Sequence, residues 1–112
     1  MATDVPLIPH ELARLAQRAA LGVACTGGAG EHLSGDLFLA FSTANRVMVR
    51  KRGKQRATGH YHESDIDPLF YAVIDATEEA ILNALVAATT MTGRDGITVH
   101  ALPHQLLQAA MA

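Results

Sequence analysis

The sequence predicts an α+β domain, because two helical patterns flank one strand pattern. Apolar residues recur every three to four positions over residues 9–24 and again over residues 68–91, as they do on amphipathic helices. Between them, the stretch LFLAF at residues 37–41 is apolar at every position. A half-exposed strand alternates apolar and polar side chains, so this run predicts a strand that is covered on both faces.

Length and composition indicate one domain over residues 1–112. The chain is 49% hydrophobic and 18% charged, which is enough apolar material for a core. A formal net charge of -2 gives no general attraction to nucleic acid or anionic membranes. Without a basic and then apolar leader, or an apolar run of roughly 20 residues, we expect a soluble, cytoplasmic protein. The single Cys25 is expected to be a reduced packing residue.

The first helix is predicted over residues 9–24, with Pro9 in the first turn, where a missing N–H is tolerated. Glycines at 27, 28 and 30 then predict a loop. The apolar face of this helix should carry Leu12, Leu15, Ala16, Ala19 and Val23, and the polar face Glu11, Arg14, Gln17 and Arg18.

After the strand at residues 37–41, a turn at 42–45 and a short strand at 47–49 predict a hairpin. Residues 50–67 lack periodicity and read as a long exposed connection. The longest helix is expected over residues 68–91, with Asp67 as its N-cap and Gly93 near its end. A short strand or bend at 96–99 and a final helix from Pro103 to Met111 complete the chain.

A basic cluster and a histidine pair are two candidate binding sites. Six of the nine Lys and Arg residues are Arg46, Arg50, Lys51, Arg52, Lys54 and Arg56. With Tyr61 as the one aromatic residue nearby, a solvated hairpin loop is favoured over a nucleic-acid interface. His60 and His62 would share a strand face, with Glu63 or Asp65 as a third donor. No second cluster at metal-ligand spacing accompanies them, so no metal is expected.

Ser34 and Asp36 are the stronger candidates for chemistry. They lie two residues apart at the head of the predicted strand, so both side chains would point to one face. A hydroxyl and a carboxylate placed in that way can act together on one reacting group. The alternative is a turn, since Ser, Gly and Asp are all turn formers, and taken alone the triplet favours that alternative.

Three segments together resemble the C-terminal subunit of the DmpA-type aminopeptidases, which include the L-aminopeptidase/D-esterases and the β-peptidyl aminopeptidases. The segments run from ATDVPLIPHEL through residue 24, from SGDLFLAF through residue 45, and over residues 67–104. The stretches FSTAN and TMTGRDG are the most specific. The resemblance covers nearly the whole chain in order.

The resemblance implies an α-β-β-α layered sandwich, shared in outline with ornithine acetyltransferases, and a precursor that cleaves itself to expose an N-terminal serine. A strand within stacked layers can be apolar on both faces, as residues 37–41 require. By resemblance, Ser34 and Asp36 match the family's second serine and its acidic neighbour, which assist the nucleophile and orient its amino group. Neither a metal nor an organic cofactor is implied.

The chain departs from the family pattern in two places. The nucleophilic serine of the family opens a strand that continues into the segment matching Ala2, whereas this chain begins with Met1. We therefore expect that strand and its serine to be missing. Another serine could not substitute, because the free amine of the nucleophile's own residue serves as the base. The loop before Ser34 carries three bulky residues, Glu31 to Leu33, where the family is rich in Gly and Asn.

The function implied is the C-terminal portion of an N-terminal-nucleophile serine aminopeptidase, which hydrolyses N-terminal residues from peptides, amides or esters and is inactive alone. Its partner would be the N-terminal subunit or, through the exposed sheet, a second copy. The substrate would be peptide-like, with no membrane or nucleic-acid partner. The alternative is a non-catalytic oligomerising module from a truncated or split gene.

Overall fold

The computed structural model describes residues 1–44, 59 and 61–112, and only the backbone of Glu63. The predicted strand at 47–49, the basic cluster and His60 lie outside these residues. The helices are α1 (Pro9–Cys25), α2 (Asp67–Ala87) and α3 (His104–Met111). The strands are β1 (Ala2–Thr3), β2 (Phe41–Ser42), β3 (Met91–Thr92) and β4 (Thr98–Val99). The described elements form an α+β fold, and none of the helices among them is long and apolar enough to cross a membrane.

β1, α1 and β2 form a parallel crossover unit. Ala2 pairs with Phe41 and Thr3 with Ser42, and the Phe41 N–H donates to the Met1 carbonyl at 3.1 Å. Parallel neighbours need a long connection between them, and α1 supplies it. The expectation that the opening strand is missing was therefore wrong at residues 2–3. Two residues are too few to show a period-two pattern in the sequence.

α1 confirms the first predicted helix, with one correction. Glu11 was placed on the polar face, yet its side chain is buried, with 3% of its surface exposed. Its Oε2 accepts the Ile8 N–H at 2.9 Å. The carboxylate thus accepts a hydrogen bond from a backbone N–H that has no partner within the helix. To do so, the Glu11 side chain lies beneath the residues that lead into α1.

α1 and α2 pack side by side and run in the same direction. Near their starts, the guanidinium carbons of Arg14 and Arg18 lie 5.2 and 4.4 Å from the centroid of the Phe70 ring. Farther along both helices, Gly22 lies against Ile74 and Thr77. The core at the start of this pair consists of Leu7, Leu15, Ile66 and Phe70.

The end of the connection over residues 50–67 belongs to that core, so the prediction of an exposed connection was wrong there. Ile66 is 2% exposed, and the Tyr61 N–H donates to the Pro6 carbonyl at 3.1 Å. The loop after α1 is confirmed, because Gly27 and Gly30 both have left-handed backbones, with φ of 98° and 68°. Such backbones favour glycine because it has no β-carbon.

The limits of α2 differ from the prediction at both ends. Ile66 precedes the helix with a helical backbone, so Asp67 is the first helical residue and not the N-cap. Its negative charge still suits the first turn. The helix ends at Ala87 because Ala88 is extended, with ψ of 143°. Met91, the predicted last helical residue, instead pairs with Val99 in the β3–β4 hairpin.

The predicted short strand and final helix are confirmed as β4 and α3. Asp95 and Gly96 turn the β3–β4 hairpin with φ of 62° and 73°, and the Gly93 N–H donates to the Ile97 carbonyl at 2.8 Å. α3 begins at His104, directly after Pro103. Proline is not tolerated inside a helix, so the helix cannot extend to residues before Pro103.

Candidate active site

Ser34 and Asp36 lie in the loop between α1 and β2. The Ser34 N–H donates to the Glu31 carbonyl at 2.8 Å, which closes a turn through the bulky loop residues. The turn predicted around the Ser-Gly-Asp triplet therefore lies before it, at residues 31–34. Both side chains are exposed and so are accessible to other groups.

The strand that follows is shorter and more open than predicted. β2 begins at Phe41 and not at Leu37. Leu37, Leu39 and Phe41 are 101%, 73% and 49% exposed, whereas Phe38 is 36% exposed and Ala40 is half-buried. This alternation shows that one face turns toward the helices and the other is open. Among the described residues this segment is covered on one face, because these elements provide a layer on one side only.

The covered face does not fit tightly against the helices. A cavity of about 430 Å³ separates residues 37–39 from α2, where Ala76, Ala80 and Ala84 face it. A second cavity of about 300 Å³ lies below β1 and Phe41, against Leu69 and Val73. Small side chains fill little of the space between layers, so these cavities are apolar packing gaps without catalytic groups.

Residues 42–44 fix the end of β2 against the first residues of the chain. The Ser42 hydroxyl donates to the Val5 carbonyl at 2.6 Å, and the Thr43 hydroxyl to the Thr3 carbonyl at 3.3 Å. The Ala44 N–H in turn donates to the Ser42 hydroxyl at 3.2 Å. These bonds hold the parallel register of β1 and β2.

The register of β1 and β2 defines where a strand continuing β1 would run, namely along the edge of residues 36–39. The Met1 ammonium donates to the Leu39 carbonyl at 2.6 Å, in line with the β1–β2 hydrogen bonds. If a strand continued β1 before Met1 in the same register, its residue four places earlier would lie opposite Asp36. A strand continuing β1 in that direction would bring its head beside Ser34 and Asp36. The sequence analysis missed this relationship because it did not identify β1.

Two other candidates lie apart from this site. His62 Nδ1 is 2.8 Å from the Ser64 hydroxyl, which donates to Asp65 Oδ1 at 3.0 Å. In the part of the chain that the structure describes, no three His, Cys, Asp or Glu residues are placed to hold a metal ion. Cys25 is exposed, so the prediction of a packing residue was wrong. Val23 and Thr26 are half-buried, whereas Ala24 and Cys25 between them are exposed, so Cys25 lies beside the buried stripe.

The model of peptidase family S58 matches residues 1–99. The chain belongs to peptidase family S58. This result confirms the resemblance to the DmpA-type aminopeptidases. β-Peptidyl aminopeptidase BapA of Sphingosinicella microcystinivorans is 47% identical over 111 residues, which are 99% of this chain and 28% of BapA. The chain thus spans less than a third of the curated relatives it matches.

Solved structures of other proteins have a backbone similar to that of this chain. A crystal structure of a Pyrococcus horikoshii OT3 protein superposes with a TM-score of 0.89 at 44% identity, covering 96% of this chain and 30% of that one. The L-aminopeptidase D-Ala-esterase/amidase of Ochrobactrum anthropi, described as a prototype serine aminopeptidase with a variant of the Ntn hydrolase fold, gives 0.86 at 40% identity, covering 96% and 31%. The chain therefore shares the fold of the matched parts of these two structures.

Proposed function

We propose that this chain is the C-terminal portion of a serine aminopeptidase and that the rest of the protein completes its active site. The observation that supports the proposal is the β1–β2 pairing, because a strand that continued β1 in the same register would pass Asp36 four residues before Met1. The name of the Ochrobactrum anthropi structure, a serine aminopeptidase with an Ntn hydrolase fold, supports a strand headed by serine along that path.

In this proposal the nucleophile is the serine at the head of the preceding strand. Its own free amine takes the hydroxyl proton as Oγ bonds to the carbonyl carbon of the substrate's first residue. That proton then passes to the leaving amine or alkoxide as the acyl bond breaks, and water releases the acyl group. The Asp36 carboxylate orients the ammonium form of the amine, and the Ser34 hydroxyl hydrogen-bonds the nucleophile. Substrates are peptides, amides or esters with a free N-terminal residue.

The remaining portion also has a structural role in this proposal. A second sheet from it would cover the open face of Leu37, Leu39 and Phe41 and complete an α-β-β-α sandwich. We assign the protein to the cytoplasm. This chain has one cysteine and so forms no internal disulfide, which is consistent with a reducing compartment. The alternative function, a non-catalytic oligomerising module, is favoured by that same exposed apolar face.

A chimera tests the function directly. The segment of Sphingosinicella microcystinivorans BapA that matches this chain is replaced by residues 1–112, and hydrolysis of N-terminal amino-acyl p-nitroanilides is measured. We expect a self-processed enzyme with turnover above that of the uncatalysed reaction. A chimera that folds, processes itself and has no activity on α- or β-amino-acyl substrates would contradict the proposal and favour the oligomerising module.

A further inference from the structure

The Ser42 side chain, in the FSTAN stretch, joins the end of β2 to the segment that follows β1. Its hydroxyl donates a hydrogen bond to the Val5 carbonyl at 2.6 Å. The same hydroxyl accepts the Ala44 N–H at 3.2 Å. Ser42 is half-buried, and hydrogen bonds are stronger where the local dielectric is lower. The proposed mechanism gives this hydroxyl no role, although it makes two bonds.

The carbonyl that accepts the Ser42 bond belongs to a well-fixed part of the chain. The Val5 carbonyl also accepts the Leu7 N–H at 2.8 Å, and Leu7 is a core residue with 4% of its surface exposed. The Val5 N–H donates to Thr3 Oγ1 at 3.1 Å, and the Val5 side chain packs against the core. Ser42 is thus bonded to a carbonyl whose position the core and Thr3 already fix.

The burial pattern of β1 and β2 does little to set their register. In each strand the first residue is exposed and the second is half-buried, so neither of these two described strands has a fully buried residue. Register is strongly specified where one strand face is buried, and weakly where it is not. Backbone hydrogen bonds between strands can form in more than one register, whereas the Ser42 bond to Val5 requires the present one. This side-chain bond therefore specifies the register.

A change of register would move the head of a strand that continued β1. A slip by two residues keeps the same side chains on each face and displaces the strand by about 6.6 Å, because a strand rises about 3.3 Å per residue. In the present register such a strand would pass Asp36 four residues before Met1. A displacement of about 1 Å can already lower a reaction rate about 100-fold. The register therefore decides whether a nucleophile at the head of that strand would meet Ser34 and Asp36.

We infer that Ser42 is a positioning residue for the proposed aminopeptidase reaction, an inference that rests on the proposed function. Its hydroxyl holds β1 in the register that directs the preceding strand toward Ser34 and Asp36. In this role Ser42 acts through the Val5 carbonyl and β1, and not by contact with the substrate. Loss of the hydroxyl should therefore slow the chemical step and leave substrate binding unchanged.

The test uses the chimera with Sphingosinicella microcystinivorans BapA and three substitutions. Ser42→Ala removes the hydroxyl, so kcat per self-processed chain should fall about 10-fold or more while KM changes less than about 2-fold. Ser42→Thr keeps a hydroxyl donor and suits a strand, so it should restore kcat to within about 3-fold of the parent value. Thr98→Ala is the matched control, because it removes a strand hydroxyl that pairs with Thr92 in the β3–β4 hairpin. It should keep the parent kcat.

A second measurement reports the register without activity. The Phe41 and Thr43 N–H groups donate to carbonyls at the start of the chain, at 3.1 and 2.9 Å. In the full 1–112 chain, these two amides should exchange with solvent about 5-fold faster or more in Ser42→Ala than in the parent, because the pairing opens more often. They should exchange at the parent rate in Ser42→Thr and Thr98→Ala.

The loss of kcat and the faster exchange are expected together. A Ser42→Ala variant with the parent kcat, or with the parent exchange rates, would overturn the inference. A Ser42→Thr variant as slow as Ser42→Ala would overturn it as well, because the hydroxyl would then not be responsible. Failure of the proposed function looks different: the parent chimera itself would fold, process itself and show no turnover, whatever the exchange rates.

Discussion

A β-carbon added to Gly22 would lie 2.7 Å from the Cβ of Thr77 and 2.6 Å from the Ile74 carbonyl oxygen. Atoms of this kind do not approach so closely, so α1 and α2 can pack at their present distance only with glycine at this position. Among the described elements, the two helices share the largest contact surface, and they form the layer on which β1 and β2 lie.

We therefore expect Gly22→Ala to destabilise the chain. Pushing the helices apart costs about 1–3 kcal/mol, which exceeds the gain of up to about 1 kcal/mol from the higher helix propensity of alanine. Urea unfolding followed by circular dichroism measures the difference. Gly35→Ala is the control, since no atom lies within 4 Å of its added β-carbon, and its effect should stay within about 0.5 kcal/mol. Equal stability of the two variants would show that the helices can separate freely.

The buried Glu11 gives a second prediction. Glu11→Ala removes the acceptor of the part-buried Ile8 N–H, which should cost about 1 kcal/mol of unfolding free energy. Glu11→Gln retains an oxygen acceptor and should lose less than half as much. The comparison is Glu31→Ala at an exposed loop position, where thermal and urea unfolding should hardly change. Equal losses in the Ala and Gln variants would mean that the hydrogen bond does not stabilise the helix start.

The Glu11 side chain also shows where sequence reasoning succeeds and fails. Both long helices and the final helix could be predicted, because their periodic apolar faces extend over many residues. A single carboxylate that bonds the backbone three residues earlier breaks this pattern, since its burial depends on one local contact. α2 ended four residues before its predicted end because Met91 pairs with Val99, a contact that helical periodicity does not report.

The sequence predicted which residues of this chain belong to the candidate site but not how they are arranged in space. The sequence identified Ser34 and Asp36 as neighbours, and the resemblance gave them roles. Their relationship to the start of the chain depends on the pairing of Ala2 with Phe41, between two very short strands. The open face of Leu37 and Leu39 could not be predicted either, since an apolar run indicates burial without indicating which polypeptide covers it.

The open strand face leads to a prediction about the isolated chain. Leu37 and Leu39 are 101% and 73% exposed, and contiguous apolar surface of this kind promotes association. Replacing both with lysine should shift the isolated chain toward a smaller species in sedimentation velocity, without lowering its helix content. Exposed Tyr71, at 68% on α2, provides the control Tyr71→Lys, which should leave the sedimentation profile unchanged. A double variant that associates as strongly as the parent chain would show that another surface drives association.

The last prediction concerns the roles of Ser34 and Asp36 within the BapA chimera. Ser34→Ala removes the hydroxyl that we propose to lie beside the nucleophile, and Asp36→Asn removes the charge that would orient the ammonium group. Each should lower kcat/KM by about 100-fold or more, the scale of a positioned acid–base group. Both side chains are exposed in the free chain, so neither substitution should change its unfolding midpoint. Ser64→Ala, remote in sequence and bonded to His62, serves as the control with full activity.

Because Asp36 acts on a titrating amine in the proposed mechanism, Asp36→Asn should also lower the apparent pKa of the acid limb of kcat/KM, since the ammonium loses its negative neighbour. A loss of activity without that shift would make Asp36 a structural residue of the loop, and full activity in Ser34→Ala would remove it from the site.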